Sequence, residues 1–294
     1  MLVAAPPPLV AVTPTREIRT VAPVNEVAVD GKRAGTLVGS AQSWEYMLVW
    51  SPQGIVVRAS LACDQQESNI VLTGNRFAHD CFQSGNFVVT GTLKPLRGGV
   101  TLRAPASAQV ALAAHDGLIV GSVGRAVWRL DRKQKLHTYP RPVFVLAVDG
   151  GRILVDRDPA QLDVLSSAGR VVGTVKRPHE GGALMQGGRV ATLAGRRLVL
   201  SDVHGRTLLT RTLAAGARLE DLDGGLLVYS VETRLHLFRL NDSRDVRLKL
   251  QRQFGYAHAR LSGAALFYAY NQQAGKLGHA GYLDAARVRA LLGG

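Results

Sequence analysis

Short apolar runs separated by turn-forming residues recur along the whole chain, and they are clearest between Val143 and Pro178. Within this stretch the runs are VFVLAV, RILVD, LDVL and RVVGTV, and the segments between them contain Gly, Asp, Pro and Ser. Runs of this length and composition, bounded by such turns, predict four antiparallel strands. One four-stranded sheet cannot bury both of its faces alone, so the pattern also predicts that several copies pack against one another.

A glycine at the predicted turn between the first and second strands marks each copy. It recurs seven times, 33 to 43 residues apart, at Gly31, Gly74, Gly117, Gly150, Gly187, Gly224 and Gly263. A tight hairpin needs positive φ at its tip, which is a local reason for glycine at this position. The mean spacing of about 39 residues is close to that of four-stranded propeller blades. Alternating apolar and polar positions, with 32 glycines in the chain, argue against helical repeats of similar length.

A second polar turn follows the third predicted strand of several copies, as in WSPQG (50–54), SSAGR (166–170) and SDVHGR (201–206). Both turn signals keep the same register, and a shared register favours a true repeat over coincidence. The sequence therefore predicts an all-β fold with almost no helix: a seven-bladed β-propeller of four-stranded antiparallel blades. A closed ring of this kind leaves sheet edges only at the outer strand of each blade.

With these corners the chain resembles the bacterial β-propeller superfamily with WD40-like and quinoprotein-like blades, over roughly residues 16 to 292. The sequence departs from true WD40 repeats, because no blade ends in TrpAsp and no GlyHis pair opens one. The resemblance implies a fold and leaves the function open, since such propellers include scaffolds, binding proteins and several kinds of enzyme.

The predicted domain organisation is a leader over residues 1–15 followed by one propeller over residues 16–294. Four prolines exclude the leader as a membrane helix, and no other segment approaches 18 consecutive apolar residues, so no membrane span is expected. Two explanations of the leader stay open: the remnant of a secretion signal, which we favour, or a proline-rich leader with no targeting role. Residues 16–21 and residues 288–292 compete for the outer strand of the last blade, and the sequence does not choose between them.

The two cysteines, Cys63 and Cys81, both fall at the junction of the first two predicted blades. A bridge between them would stabilise the fold by roughly 3 kcal/mol in the chain-entropy model. Disulfides persist mainly in oxidising compartments, so the pair predicts an extracytoplasmic protein, either secreted or on the periplasmic or cell-wall side. Two unrelated buried thiols in a cytoplasmic protein are the alternative.

Positive charge is the only feature of the composition that points to a partner. Lys and Arg number 36 against 22 Asp and Glu, a formal net charge of +14. The densest cluster consists of six residues with only Asp131 among them: Arg125, Arg129, Arg132, Lys133, Lys135 and Arg141. We interpret this cluster first as a solvated rim and second as a patch for polyanions. Lys135, His137 and Tyr139 are expected to share one face of an outermost strand, and the few aromatic residues nearby disfavour nucleic acid as the ligand.

No catalytic motif is present in the sequence, and we assign no catalytic residue, no metal ligand and no cofactor. His79 and Asp80 are adjacent, so their side chains are expected on opposite faces of a strand. The leading function is an exported, non-enzymatic and monomeric propeller that binds a protein or an anionic envelope polymer. The alternative is a propeller enzyme, a hydrolase or a lyase, with a site in the central channel. Charged residues converging on the channel would favour the enzyme, and a carboxylate-poor channel would favour the binding protein.

Overall fold

A computed structural model describes residues 7–40, 43–60, 69–83, 85–105, 108–177, 182–272 and 276–293 of the protein. The strands of these residues form seven sheets, each built around four antiparallel strands. The seven-bladed propeller predicted from the glycine corners is therefore confirmed. No helix among the residues described is both long enough and apolar enough to cross a membrane.

The first three blades follow two short amino-terminal strands. The strands are β1 (Leu9–Ala11) and β2 (Arg16–Thr20), then β3 (Val24–Asp30), β4 (Arg33–Ser40), β5 (Ser43–Ser51) and β6 (Gly54–Ser60) of blade 1, β7 (Ile70–Thr73), β8 (Arg76–Gln83), β9 (Gly85–Leu93) and β10 (Leu96–Ala104) of blade 2, and β11 (Val110–His115), β12 (Leu118–Val123), β13 (Ala126–Arg129) and β14 (Gln134–Thr138) of blade 3. A single 3₁₀ turn, Leu130–Arg132, connects the last two of these strands.

The remaining four blades repeat the same order. Their strands are β15 (Phe144–Asp149), β16 (Arg152–Asp158), β17 (Gln161–Ser166) and β18 (Val171–Lys176) of blade 4, β19 (Ala183–Gln186), β20 (Arg189–Ala194), β21 (Arg197–Asp202) and β22 (Thr207–Thr212) of blade 5, β23 (Ala217–Asp223), β24 (Leu226–Val231), β25 (Arg234–Arg239) and β26 (Arg244–Lys249) of blade 6, and β27 (Phe254–Ser262), β28 (Ala265–Gln272) and β29 (Leu277–Leu283) of blade 7. Helix α1 (Ala285–Leu291) follows β29.

The amino-terminal strand β2 closes the ring, because it pairs antiparallel with β29 as the outer strand of blade 7. The competing carboxy-terminal segment forms α1 instead. Asp284 caps this helix, because its carboxylate accepts a hydrogen bond of 2.8 Å from the Arg287 N–H. The leader also contributes: β1 pairs in parallel with β26 and makes blade 6 five-stranded. Leu9–Ala11, which the sequence analysis placed in a leader outside the propeller, thus form part of the ring.

The hydrophobic core is divided among the interfaces between neighbouring blades. The described residues form seven buried clusters, one at each interface, and every cluster joins two consecutive blades. At the closure of the ring, Trp50 of blade 1 is fully buried and its ring centroid lies 5.4 Å from that of Phe267 in blade 7. Each blade therefore buries its two faces against its two neighbours, as the repeat pattern required.

The turns alternate between two sides of the ring, because neighbouring strands run in opposite directions. We call the side with the turns after the first and third strands the corner face, and the opposite side, with the turns after the second strands and the linkers between blades, the linker face. All seven corner glycines have positive φ, between 52° and 79°, which explains the residue that marks the repeat.

The residue before the corner glycine links one blade to the next. In four blades its side chain accepts a hydrogen bond from an N–H of the following blade's corner. Asp30 accepts from Gly74 (2.7 Å), Thr73 from Gly117 (2.7 Å), Asp149 from Gly188 (3.0 Å) and Asp223 from Gly263 (2.7 Å). These bonds hold the inner strands side by side around the central channel.

Candidate functional site

The inner strands surround a central channel of about 250 Å³ whose wall changes character around the ring. Blades 2 to 5 contribute mainly apolar side chains, among them Val71, Leu112 and Leu184. Blades 6, 7 and 1 contribute charged side chains instead: Glu220, Asp221, Arg260 and Glu26. We call these four residues the channel cluster.

The channel cluster is held by hydrogen bonds that cross the boundaries between blades. Arg260 Nη1 donates to the main-chain oxygen of Glu220 at 2.9 Å and lies 3.9 Å from its Oε2, while Ser230 Oγ donates to Glu220 Oε1 at 2.8 Å. Asp221 Oδ2 accepts the Leu261 N–H at 2.6 Å, and Glu26 Oε2 accepts the Ile70 N–H at 3.3 Å. The carboxylates of Asp221 and Glu26 therefore connect their own blade to the next one by a hydrogen bond. The Glu220 carboxylate is held beside the first of these contacts by Ser230 and Arg260.

Burial is the main influence on these carboxyl groups. It raises the pKa of Glu26 and of Glu220 above their ordinary values, and it raises the pKa of Asp221 to about 6. The Arg260 guanidinium opposes the shift of all three pKa values, and Glu220 reinforces that of Glu26. Arg218 also lowers the pKa of Glu220, but burial outweighs both guanidinium groups, which favours the protonated form of part of the set.

The sequence argument expected a binding protein to have a channel poor in carboxylates. The channel instead contains the carboxylates of Glu26, Glu220 and Asp221. The hydrogen bonds above give the carboxylates a structural reason for their positions, so convergence alone does not identify a reaction centre. Over the ranges described, no group of three or more His, Cys, Asp or Glu side chains is arranged to hold a metal ion. Sequence analysis missed the channel cluster, although Glu26, Asp221 and Arg260 each lie three to five residues before a corner glycine.

The basic cluster predicted in blade 3 is divided between the two faces of the ring. Arg125 follows β12 on the linker face, as does Arg141 in the linker after β14, and Tyr139 N–H donates to Arg125 O at 2.8 Å. The other four residues, Arg129, Arg132, Lys133 and Lys135, lie around the 3₁₀ turn toward the corner face. The six residues therefore do not form one surface.

Asp131 neutralises part of the corner-face group. Its Oδ1 accepts from Arg129 Nε at 3.0 Å, and its Oδ2 accepts from Arg76 Nη1 of blade 2 at 2.9 Å. Arg132, Lys133 and Lys135 are exposed, and the Lys135 Nζ lies 5.4 Å from the centre of the Trp128 ring. Three exposed cations remain at this turn to meet an anion.

Lys135, His137 and Tyr139 do not share a face, so that expectation was wrong. A β-bulge pairs Lys135 with Trp128 but His137 with Val127, which places the two side chains on opposite sides of the sheet. Tyr139 is buried, with its ring centroid 4.6 Å from that of His137. Bulges are set by local pairing, which an alternating pattern alone does not reveal.

Two other predicted features involve blade 2. His79 Nδ1 lies 3.1 Å from the main-chain oxygen of Asp80, while the Asp80 carboxylate is bound by Asn69, so the adjacent pair does not form a dyad. Cys81 is fully buried in β8, whereas Cys63 lies outside the described residues. The Cys63–Cys81 bridge stays a prediction.

Exposed aromatic side chains lie on the linker face beside the channel, at the start of the innermost strand of blade 7. Phe254 is 54 % exposed and Tyr256 is 59 % exposed, and Val21, in the neighbouring linker, is 85 % exposed. Asn271, which pairs with Phe254, donates to Val24 O at 3.1 Å and so connects the two segments. We call Val21, Phe254 and Tyr256 the apolar patch; sequence analysis did not single out these residues.

Comparisons with known proteins agree with this fold. No family model matches the sequence, and no curated protein matches it. Among solved structures, the chain is similar to Hsv2 of Kluyveromyces lactis (TM-score 0.59, 13% identity, 85% of this chain and 90% of that chain) and to BamB of Moraxella catarrhalis (0.54, 12%, 88% and 84%). It is also similar to the computationally designed protein Ika8 (0.55, 12%, 85% and 81%). At such identities the likeness concerns the fold alone, and the chain is a β-propeller.

Proposed function

We propose that this β-propeller is a non-enzymatic binding module that holds a partner protein against its linker face. The observation that carries the proposal is the apolar patch. Phe254 and Tyr256 are each more than half exposed, although large apolar residues elsewhere in the blades are mostly buried. Clustered exposed apolar residues of this kind mark interaction sites, and burying each aromatic ring against a partner is worth about 2 kcal/mol.

The backbone beneath the apolar patch is fixed before any partner arrives. Gln253 Nε2 donates to Gly255 O at 2.8 Å and also to Thr233 O of blade 6. Gly255 has φ of 69°, and the pairing of β27 with β28 skips the two residues after Phe254. Rigid aromatic anchors lose little conformational entropy on binding, which is why they dominate the energetics of interfaces.

The charge beside the apolar patch favours an acidic partner. Arg252 and Arg234 are exposed on the linker face next to it, and the whole chain carries a formal net charge of +14. Aromatic and arginine side chains together are enriched at protein interfaces. An acidic protein surface, or an anionic envelope polymer as a second ligand class, would complement this composition.

The proposed compartment is extracytoplasmic. The predicted Cys63–Cys81 bridge supports it, since disulfides persist mainly in oxidising compartments. An envelope location would also bring the basic surface close to anionic polymers.

Photo-crosslinking tests the proposed partner surface. Benzoylphenylalanine placed at Phe254 should form one dominant adduct in extracts of the source cells, and Tyr256→Ala in the same chain should reduce it. The matched control carries the probe at Ile55, which is 61 % exposed on the outer strand of blade 1. Equal adducts from both positions, or none from Phe254, would contradict the proposal.

A channel enzyme is the second candidate, because the raised pKa values of Glu26, Glu220 and Asp221 are a property that acid–base catalysts require. A panel of glycosides and peptides would test it, with Glu220→Gln as the comparison. Turnover that Glu220→Gln abolishes while Asp116→Asn leaves it unchanged would favour the enzyme over the binding module.

A further inference from the structure

A groove of about 510 Å³ lies on the corner face between blades 5 and 6, away from the channel and from the apolar patch. One wall comes from the start of β22, and the other comes from the turn that follows β25. Its lining combines arginine and leucine side chains: Arg189, Arg211, Arg239, Leu208, Leu209 and Leu240. A concave site of mixed apolar and charged character is typical of small-ligand pockets, which usually span about 300 to 1,000 Å³.

Two of the three arginines keep their positive charge uncompensated. Among the residues that the structure describes, Arg211 donates only to main-chain oxygens, those of Thr210 at 3.0 Å, Leu240 at 3.1 Å and Asn241 at 3.5 Å. These carbonyl groups orient the guanidinium without neutralising it. Arg189 is exposed and forms no ion pair with any carboxylate of the described residues, whereas Arg239 is bound by Asp242 at 2.6 Å.

The apolar part of the groove is partly open to solvent. Leu208 is 45 % exposed and Leu209 is half-buried, so the leucine wall is not covered by the protein itself. The floor is the Gly224–Gly225 turn, where both residues have positive φ and no atom lies within 4 Å of the position that a Cβ would occupy. A ligand can therefore approach the backbone of the turn closely.

We propose that this groove binds an amphipathic anion, a single aliphatic chain ending in a carboxylate or a phosphate. The guanidinium groups of Arg189 and Arg211 would bind the head group, since planar guanidinium groups form strong charge-assisted hydrogen bonds with both kinds of oxyanion. The leucine wall would take the chain, and each buried methylene should improve affinity roughly fourfold. This site does not depend on the proposed partner surface, which lies on the opposite face.

Calorimetric titration of the full chain tests the proposal with decanoate, decyl phosphate and decyltrimethylammonium. Both anions should bind saturably with a Kd below about 1 mM, and the cation should not bind. Octanoate, which is two methylenes shorter, should bind about fifteenfold more weakly than decanoate. Stronger binding of decanoate or of decyl phosphate would identify the preferred head group.

The variants separate a specific site from general attraction to a basic protein. Arg189→Gln and Leu208→Ser alter exposed side chains, so the fold should persist, and each should weaken decanoate by at least about fivefold. Arg197→Gln is the matched control, because Arg197 is an exposed arginine of the same blade at the linker-face end. Equal weakening by Arg197→Gln, equal binding of the cation, or no saturation up to about 5 mM would overturn the proposal.

Discussion

Asp80 should make the ring less stable as the pH rises through the weakly acidic range, against an opposing contribution from His79 and His258, whose pKa values burial lowers. Asp80 is 1 % exposed in β8, and its carboxylate accepts hydrogen bonds from the main chain and from Nδ2 of Asn69, the latter at 2.8 Å. Burial raises its pKa from 3.8 to about 7, although the bonds from Asn69 oppose the shift. The folded protein therefore keeps a proton that the unfolded chain has already released.

The sign and the magnitude of the effect follow from this difference. Below about pH 4 the carboxyl is protonated in both states, so its burial costs little. Between about pH 4 and pH 7 the folded state binds more protons, and the free energy of unfolding falls by up to about 1.4 kcal/mol per pH unit. The loss is complete near pH 7 and amounts to about 4 kcal/mol, an upper value for one fully buried group.

Urea unfolding across this range measures the effect in the wild type and in Asp80→Asn. The asparagine is nearly isosteric and has no proton to release, and the Asn69 amide can rotate to match it, so between about pH 4 and pH 7 the free energy of unfolding should fall more steeply in the wild type than in the variant. The slope that remains is the balance of two groups of residues. Burial raises the pKa of Glu26, Glu220 and Asp221, which makes stability fall with pH, and it lowers the pKa of His79 and, to about 4, that of His258, which makes stability rise. Asp116→Asn, whose side chain is 72 % exposed, is the control and should keep the wild-type slope. Parallel profiles for the wild type and Asp80→Asn would refute the reasoning.

Three further predictions concern packing, redox state and charge. Gly281→Ala should destabilise the fold by about 1 to 3 kcal/mol or more in urea unfolding, because its Cβ would lie 2.2 Å from the buried Tyr268 ring, whereas Gly99→Ala meets nothing and should be neutral. Protein exported through an oxidising pathway should contain a linked Cys63–Cys81 peptide pair in mass spectrometry, and two free thiols in folded material would remove this argument for the compartment. If the three exposed corner-face cations of blade 3 bind duplex DNA or another polyanion, log K should fall with log salt with a slope of roughly −3, and an unchanged slope in the quadruple Gln variant would make the cluster a solvated rim. That variant replaces Arg129, Arg132, Lys133 and Lys135.

The sequence by itself determined the number of blades and the number of strands in each blade. Each blade turns at a glycine with positive φ, a conformation that other residues adopt at a cost, so the corner is visible as a residue type. The alternation of apolar and polar residues likewise depends only on the two-residue period of a strand. Both signals are local to one blade. Seven imperfect copies of them at a regular spacing make the repeat recognisable, although no single copy would be enough.

Closure of the ring was decided by tertiary packing. The sequence offered residues 16–21 and residues 288–292 for one position, and the choice required contacts between the two ends of the chain. Ile18 of β2 is buried in the cluster between blades 7 and 1, while Val288 of α1 is buried in the cluster between blades 6 and 7. Each segment buries its apolar residue in a different place, which no local propensity could reveal.

The candidate sites depend on the tertiary structure still more strongly. Glu26 and Arg260 influence each other although more than two hundred residues separate them, and Arg211 of blade 5 is oriented by carbonyl groups of blade 6. The sequence grouped six basic residues that a four-residue strand then divided between two faces. A local pattern specifies each blade, but only the packing of blades against one another determines which charges are buried together, which are neutralised and which remain exposed to a ligand.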